Sequence, residues 1–143
     1  MERKGDDYTT YHGHKYYNLL KTLIEYSNKV YSVLGHGHNE VIYHNALKVE
    51  LRINNIKYET EKITPIYYEG YCVGNGRADL VVDTDLTVEL KATTKLSMKN
   101  KCQLRKYLIN TNSPIGIVIN FPQVGEAKNA TLETNIGYMI VEK

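Results

Sequence analysis

The sequence predicts an α+β (or α/β) domain in which a mixed sheet is flanked by helices. Three observations carry that prediction. Apolar residues recur with a period of 3.6 as far as Ile53, and the period changes to two between Ile56 and Ala92. A capped helical segment then separates that strand region from a fully apolar run, Ile115 to Phe121.

Taken in order, residues 1–14 (MERKGDDYTTYHGH) are polar and aperiodic and are expected to form a mobile arm, leaving residues 15–143 as one domain. A first helix is expected from Lys15 to Val33, with Leu20, Leu23, Ile24, Ser27, Val30, Tyr31 and Leu34 as its core-facing stripe. Gly35-His36-Gly37-His38 breaks it. Asn39 can cap a second helix, Glu40 to Ile53, with Glu40 in the first turn where the helix dipole favours an acid. Strands are expected at Ile56–Lys62, Pro65–Tyr68, Tyr71–Val73, Ala78–Asp83 and Thr87–Ala92, with Glu69-Gly70 and Gly74-Asn75-Gly76 marking turns or bulges. Ser97 caps a third helix to Asn110, whose apolar line reads Met98, Cys102, the Arg105 stem and Ile109, with Leu104 and Leu108 beside it. Asn112-Ser113-Pro114 ends it. Ile115–Phe121 reads as a central strand, a polar loop follows, and Ile136–Glu142 reads as an edge strand.

At 143 residues the chain can bury a core without disulfide or metal staples. Tyrosine is abundant (13) and tryptophan absent, a bias without functional meaning by itself. The net charge of +2 is too small to argue for nucleic acid, and a local basic run is more informative: Lys95, Lys99, Lys101, Arg105 and Lys106. A solvated helix face explains such a run as readily as phosphate contact does. Cys72 and Cys102 form no CxxC pair, and no apolar stretch approaches the roughly 18 residues of a membrane span. The expectation is a soluble intracellular protein, cytoplasmic or nuclear and not secreted, with reduced thiols and no membrane partner.

The chemistry concentrates in TDLTVELKATTKL, Thr84 to Leu96. Its strand carries Glu89 and Lys91, an acid and a base two residues apart on one face, while Val88 and Leu90 take the core face. Folding Ala78–Asp83 back on Thr87–Ala92, so that paired positions sum to 168, sets Asp79 across from Glu89. Two carboxylates facing one another on adjacent strands repel, and a divalent cation between them relieves the repulsion, so the pattern reads as a metal-assisted phosphoryl-transfer site. A structural ion pair between Lys91 and Asp79 is an equal alternative on these residues. The bare pattern ExK is weak, since Glu2-Arg3-Lys4 and Glu126-Ala127-Lys128 repeat it in polar, irregular sequence. Histidines 12, 14, 36, 38 and 44 have no cysteine at zinc spacing and read as loop or packing residues. Tyr43, at i+3 from Glu40, either holds that carboxylate or packs in the core, and Tyr107, four after Gln103, has the same two readings.

Six segments in order resemble one family. GHNEVIY, Gly37 to Tyr43, resembles the motif of the GxxExxY proteins, a branch of the PD-(D/E)xK nuclease-like superfamily. ALKVELRINNI, YYEGYCVGNGRADLVV, TVELKA, QLRKYL and GIVINF continue the likeness, which spans Val33 to Phe121. His38 stands where that family often has an aromatic or aliphatic residue, and the N-terminal extension is long. The resemblance implies a restriction-endonuclease-like αβββαβ core. It implies that Asp79, Glu89 and the Leu90 carbonyl bind Mg²⁺, with Mn²⁺ as substitute, and that Lys91 steadies the attacking water and the phosphate. It further implies that Glu40 is an additional acid of the metal site and that Gln103 lines the same pocket.

The expected activity is therefore Mg²⁺-dependent hydrolysis of nucleic-acid phosphodiesters without strict sequence specificity, on DNA ahead of RNA, with the basic run on backbone phosphates. The rival reading is a catalytically inactive nucleic-acid-binding or complex-forming module on the same fold. Oligomeric state is open, a homodimer included.

Overall fold

The computed structural model describes residues 7–124 and 135–143. Helices α1 (Tyr17–Leu34) and α2 (Glu40–Ile53) precede strands β1 (Tyr58–Tyr68), β2 (Tyr71–Val82) and β3 (Leu86–Lys91); α3 (Met98–Thr111), β4 (Ile115–Asn120) and β5 (Gly137–Glu142) follow. The five strands form one mixed sheet in the order β1-β2-β3-β4-β5. Among the described strands only β3 and β4 run parallel, and α3 is the crossover that joins them. The fold is the mixed sheet flanked by helices that the sequence predicts, and it matches the restriction-endonuclease-like plan.

Each face of the sheet buries its own helices. The predicted α1 stripe is buried from Leu20 to Tyr31, and α2 adds Tyr43, Leu47 and Leu51. These meet Leu80, Val82, Leu86, Val88 and Leu90 and the β4 residues Ile115, Ile117 and Ile119. On the other face, Leu104 and Leu108 of α3 pack on Val118 and Val141. Gly116 makes that approach possible, since a Cβ there would stand 3.0 Å from Leu104 Cδ2. β4 is buried throughout and central, and β5 lies at an edge, both as predicted.

Four details differ from the sequence reading. Residues 7–14, assigned to the arm, include a 3₁₀ turn at Tyr8–Tyr11 whose Tyr11 is buried in the main core, because an aromatic ring gains from burial whatever its polar neighbours prefer. Residues 1–6, most of the loop after β4 (125–134) and both stray ExK triplets lie outside the described residues. The four short strands predicted between Ile56 and Asp83 are the two long strands of one hairpin: Gly74-Asn75-Gly76 stays extended because Ile66, Pro65 and Thr64 of β1 pair with it. The turn is at Glu69-Gly70, both at positive φ, and a bulge falls between Ile66 and Tyr67. The α3 stripe is Leu104 and Leu108, while Met98, Cys102 and Ile109 are exposed. Finally, Asn39 occupies the α2 cap position but makes no capping hydrogen bond through its side chain.

Candidate active site

The ladder between β2 and β3 pairs Leu80 with Val88, Val81 with Thr87 and Val82 with Leu86, the predicted register. One step further Asp79 comes opposite Glu89, and there the ladder stops. The Asp79 carboxylate takes over and accepts a hydrogen bond from the Leu90 main-chain N–H at 2.8 Å. A residue's N–H and C=O point to the same side of an extended strand, so the Leu90 carbonyl also emerges toward Asp79. The side chain of Leu90 is meanwhile fully buried, which fixes the strand's rotation.

Glu89 is only partly exposed, and its carboxyl is pushed up to about 8 by burial and then by the neighbouring Asp79 charge, with Lys91 opposing. Among the described residues Lys91 has no ion pair within 4.0 Å, so the structural Lys91–Asp79 pair is not formed. Glu40 stands in the first turn of α2 and is shifted upward by burial, with Lys91 lowering and Asp79 raising it. The N-terminus of α2 therefore places that acid within the field of both strand residues.

Two depressions meet at the carboxylate pair. A cavity of about 480 Å³ opens on the α3 side and is lined by Glu89, Lys91 and Gln103, with Ile66, Gly76, Arg77, Asn100, Leu104, Lys106, Tyr107, Asn110 and Val118 completing its wall. A smaller one, about 220 Å³, opens on the α2 side and is lined by Glu40, Val41, His44, Glu61, Arg77, Asp79 and Leu90. The predicted site residues thus gather around the end of β3 but are divided between two cavities, Glu89, Lys91 and Gln103 in the larger and Glu40, Asp79 and Leu90 in the smaller, with Arg77 lining both. Of the basic run, Lys106 lines the larger cavity; Lys95, Lys99 and Arg105 are exposed and Lys101 is half-buried on the helix that walls it.

Among the described residues, no group of three or more His, Cys, Asp or Glu side chains closes around one point. The oxygens available to a cation here are those of Asp79, Glu89 and the Leu90 carbonyl, with Glu40 in the same cavity as Asp79 and Leu90. All are hard oxygens, which fit Mg²⁺ or Mn²⁺ better than Zn²⁺.

Three residues of this neighbourhood are absent from the sequence-derived set. His44, four after Glu40 on the same helical face, lies against Asp79; burial and then the Lys48 charge lower its pKa, against Asp79 and Glu61. Its Nε2 is buried without a hydrogen-bond partner among the described residues. The i,i+4 spacing from Glu40 was the available signal. Glu61 adopts a positive φ of 50° within β1, between the pairs Thr60–Leu80 and Lys62–Ala78, a conformation invisible in the residue string. Arg77, two before Asp79 on one strand, was legible by alternation.

Tyr43 settles into the core reading. It is fully buried and stacks on Phe121 with ring centroids 4.4 Å apart. Its hydroxyl donates to the Gly35 carbonyl at 2.7 Å and accepts from Gln123 Nε2 at 3.2 Å and from the His38 N–H at 3.3 Å. The tyrosine of GHNEVIY therefore anchors the loop that aims Glu40, without touching the acid.

The fold and this arrangement of Asp79, Glu89 and Lys91 define the class: a restriction-endonuclease-like α+β domain with an acid pair at the end of the central strands. Residues 17–132 match the family model described as the PD-(D/E)XK nuclease superfamily, and the chain belongs to that superfamily. The crystal structure of SSO0001 is similar in fold, with a TM-score of 0.51 and 23% sequence identity over 90% of this chain. The present chain spans 60% of the length of SSO0001. No curated protein matches the sequence.

Proposed function

We propose that this protein is a metal-dependent nuclease of the GxxExxY branch, hydrolysing nucleic-acid phosphodiesters with Mg²⁺ or Mn²⁺, DNA ahead of RNA. The observation that carries the reading is the Asp79–Glu89 contact at the end of the β2–β3 ladder, beside a Lys91 that neither carboxylate holds. Membership of a superfamily of nucleases that generally act with divalent metals supports it, as does Gly37-x-x-Glu40-x-x-Tyr43.

In this reading Asp79, Glu89 and the Leu90 carbonyl would hold the cation, with Glu40 as an additional acid of the site. The cation, when bound, neutralises the scissile phosphate and acidifies a water molecule. Lys91 would steady the attacking water and face the negative charge that grows on the phosphate oxygens. Gln103 orients the substrate from α3. Lys95, Lys99, Lys101, Arg105 and Lys106 supply sequence-independent contacts to backbone phosphates.

Cleavage of labelled DNA and RNA, single- and double-stranded, with Mg²⁺, Mn²⁺ or EDTA tests this. Metal-dependent cutting that Glu89→Ala abolishes is the expected result. A folded wild-type protein that cuts nothing, and shows no calorimetric binding of either metal, would overturn the enzyme and leave the nucleic-acid-binding module.

A further inference from the structure

We propose that the cavity between the β1–β2 hairpin and α3 is a pocket for one unpaired nucleobase, so that the substrate is a single strand or a frayed end; this rests on the nuclease reading above. At about 480 Å³ the cavity falls in the range of roughly 300–1,000 Å³ that holds single small molecules. A groove for duplex backbone would be lined mainly by cations. This one has an aliphatic floor of Ile66, Leu104 and Val118, and neutral amides at Gln103, at Asn100, whose oxygen also accepts from the Ser97 N–H, and at Asn110, whose nitrogen also donates to Pro65. Apolar surface suits the face of a base, and amides suit the hydrogen-bonding edge that a duplex keeps paired. Arg77 and Lys106 add positive charge for the adjoining phosphates, and Glu89 with Lys91 closes the end where cleavage would occur.

The cavity wall is built to stay open beside Tyr107. Gly76 has no Cβ, and one placed there would stand 3.2 Å from the Tyr107 ring. The Asn110 amide donates to the Pro65 carbonyl at 3.2 Å, which ties the helix to the hairpin across the pocket floor.

A second feature points the same way. Beyond Ile66 the hairpin carries Tyr67, Tyr68 and Tyr71 at 62%, 68% and 77% exposure. Aromatic rings displayed in water next to a base-sized pocket are stacking platforms for successive bases of an unpaired strand. The strand that begins in the cavity would continue along this tip.

The test is fluorescence anisotropy with one labelled oligonucleotide, presented single-stranded and as a blunt duplex, in EDTA so that nothing is cut. Wild type should bind the single strand about tenfold tighter or more. Ile66→Trp fills the cavity from the edge strand and should bring that ratio toward one. Tyr71→Ala, at an exposed position that leaves the fold alone, should weaken single-strand binding about five- to tenfold. Val33→Ala, exposed on α1, serves as the unaffected control. Equal binding of duplex and single strand by wild type, or an unchanged ratio in folded Ile66→Trp, overturns the pocket even if metal-dependent cutting is observed. Single-strand preference lost in Ile66→Trp sustains the pocket even if no metal supports cutting.

Discussion

Asp79 and Leu90 are joined by a side-chain hydrogen bond at the step where main-chain pairing between their strands ends. The carboxylate thus has two duties, an acceptor for a strand N–H and a partner for Glu89. The two separate experimentally. Asp79→Asn keeps an oxygen for the Leu90 N–H, whereas Asp79→Ala leaves it unpaired at a cost of about 1–3 kcal/mol. Denaturant unfolding should rank the alanine variant below the asparagine variant by that amount, while both lose cleavage by about 100-fold or more.

Glu89 sets a pH dependence whose sign follows from its shift. Its carboxyl is pushed up to about 8, above the ordinary 4.5, by burial and the Asp79 charge. Between those values the metal-free native state keeps a proton that the unfolded chain has released, so stability falls as pH rises through that window. A loss on the order of 1–3 kcal/mol, allowing for water at the cavity mouth, should appear in urea unfolding with EDTA and be flattened in Glu89→Gln. Calorimetric Mg²⁺ binding should release protons below pH 8 and tighten toward it.

Tyr43→Phe keeps the ring stacked on Phe121 and deletes the hydroxyl that ties Gly35, His38 and Gln123 together. Stability should drop by about 1–3 kcal/mol. Cleavage per folded molecule should stay within a few-fold, because the hydroxyl does not reach Glu40. A collapse of turnover at unchanged stability would return Tyr43 to the chemistry.

The α3 packing is tested by contrast. Leu108→Ala removes a fully buried side chain and should cost about 2–5 kcal/mol. Met98→Ala and Ile109→Ala, on exposed positions, should stay within about 0.5 kcal/mol in the same thermal unfolding measurement.

Much of this could be read from residue order because each signal was local or set by simple pairing. The α1 stripe follows the helical period, and the Asp79–Glu89 register follows from a short turn between two apolar strands. The α3 stripe was misread because polar residues dominate that helix and several apolar lines compete; contact with Val118 and Val141 selects one. The hairpin was cut in two because glycine runs weigh as breakers, and only the opposing strand overrides that. Glu61, His44 and the cavity wall depend on a positive φ inside β1 and on α2 and α3 meeting the sheet from opposite faces, which no single segment encodes.

Among the described residues β1 has a neighbour on one side only, and an open strand edge is a template for other chains. This one is guarded along its length. Glu59, Glu61 and Lys62 place charge in the first half, Pro65 withholds a donor in the second, and the bulge after Ile66 bends the remainder. The guard matters because the tyrosine-rich tip would otherwise invite fibre-like stacking between molecules. The guard and the proposed single-strand platform therefore share one strand, and the first symptom of replacing Pro65 should be turbidity on concentration rather than lost turnover.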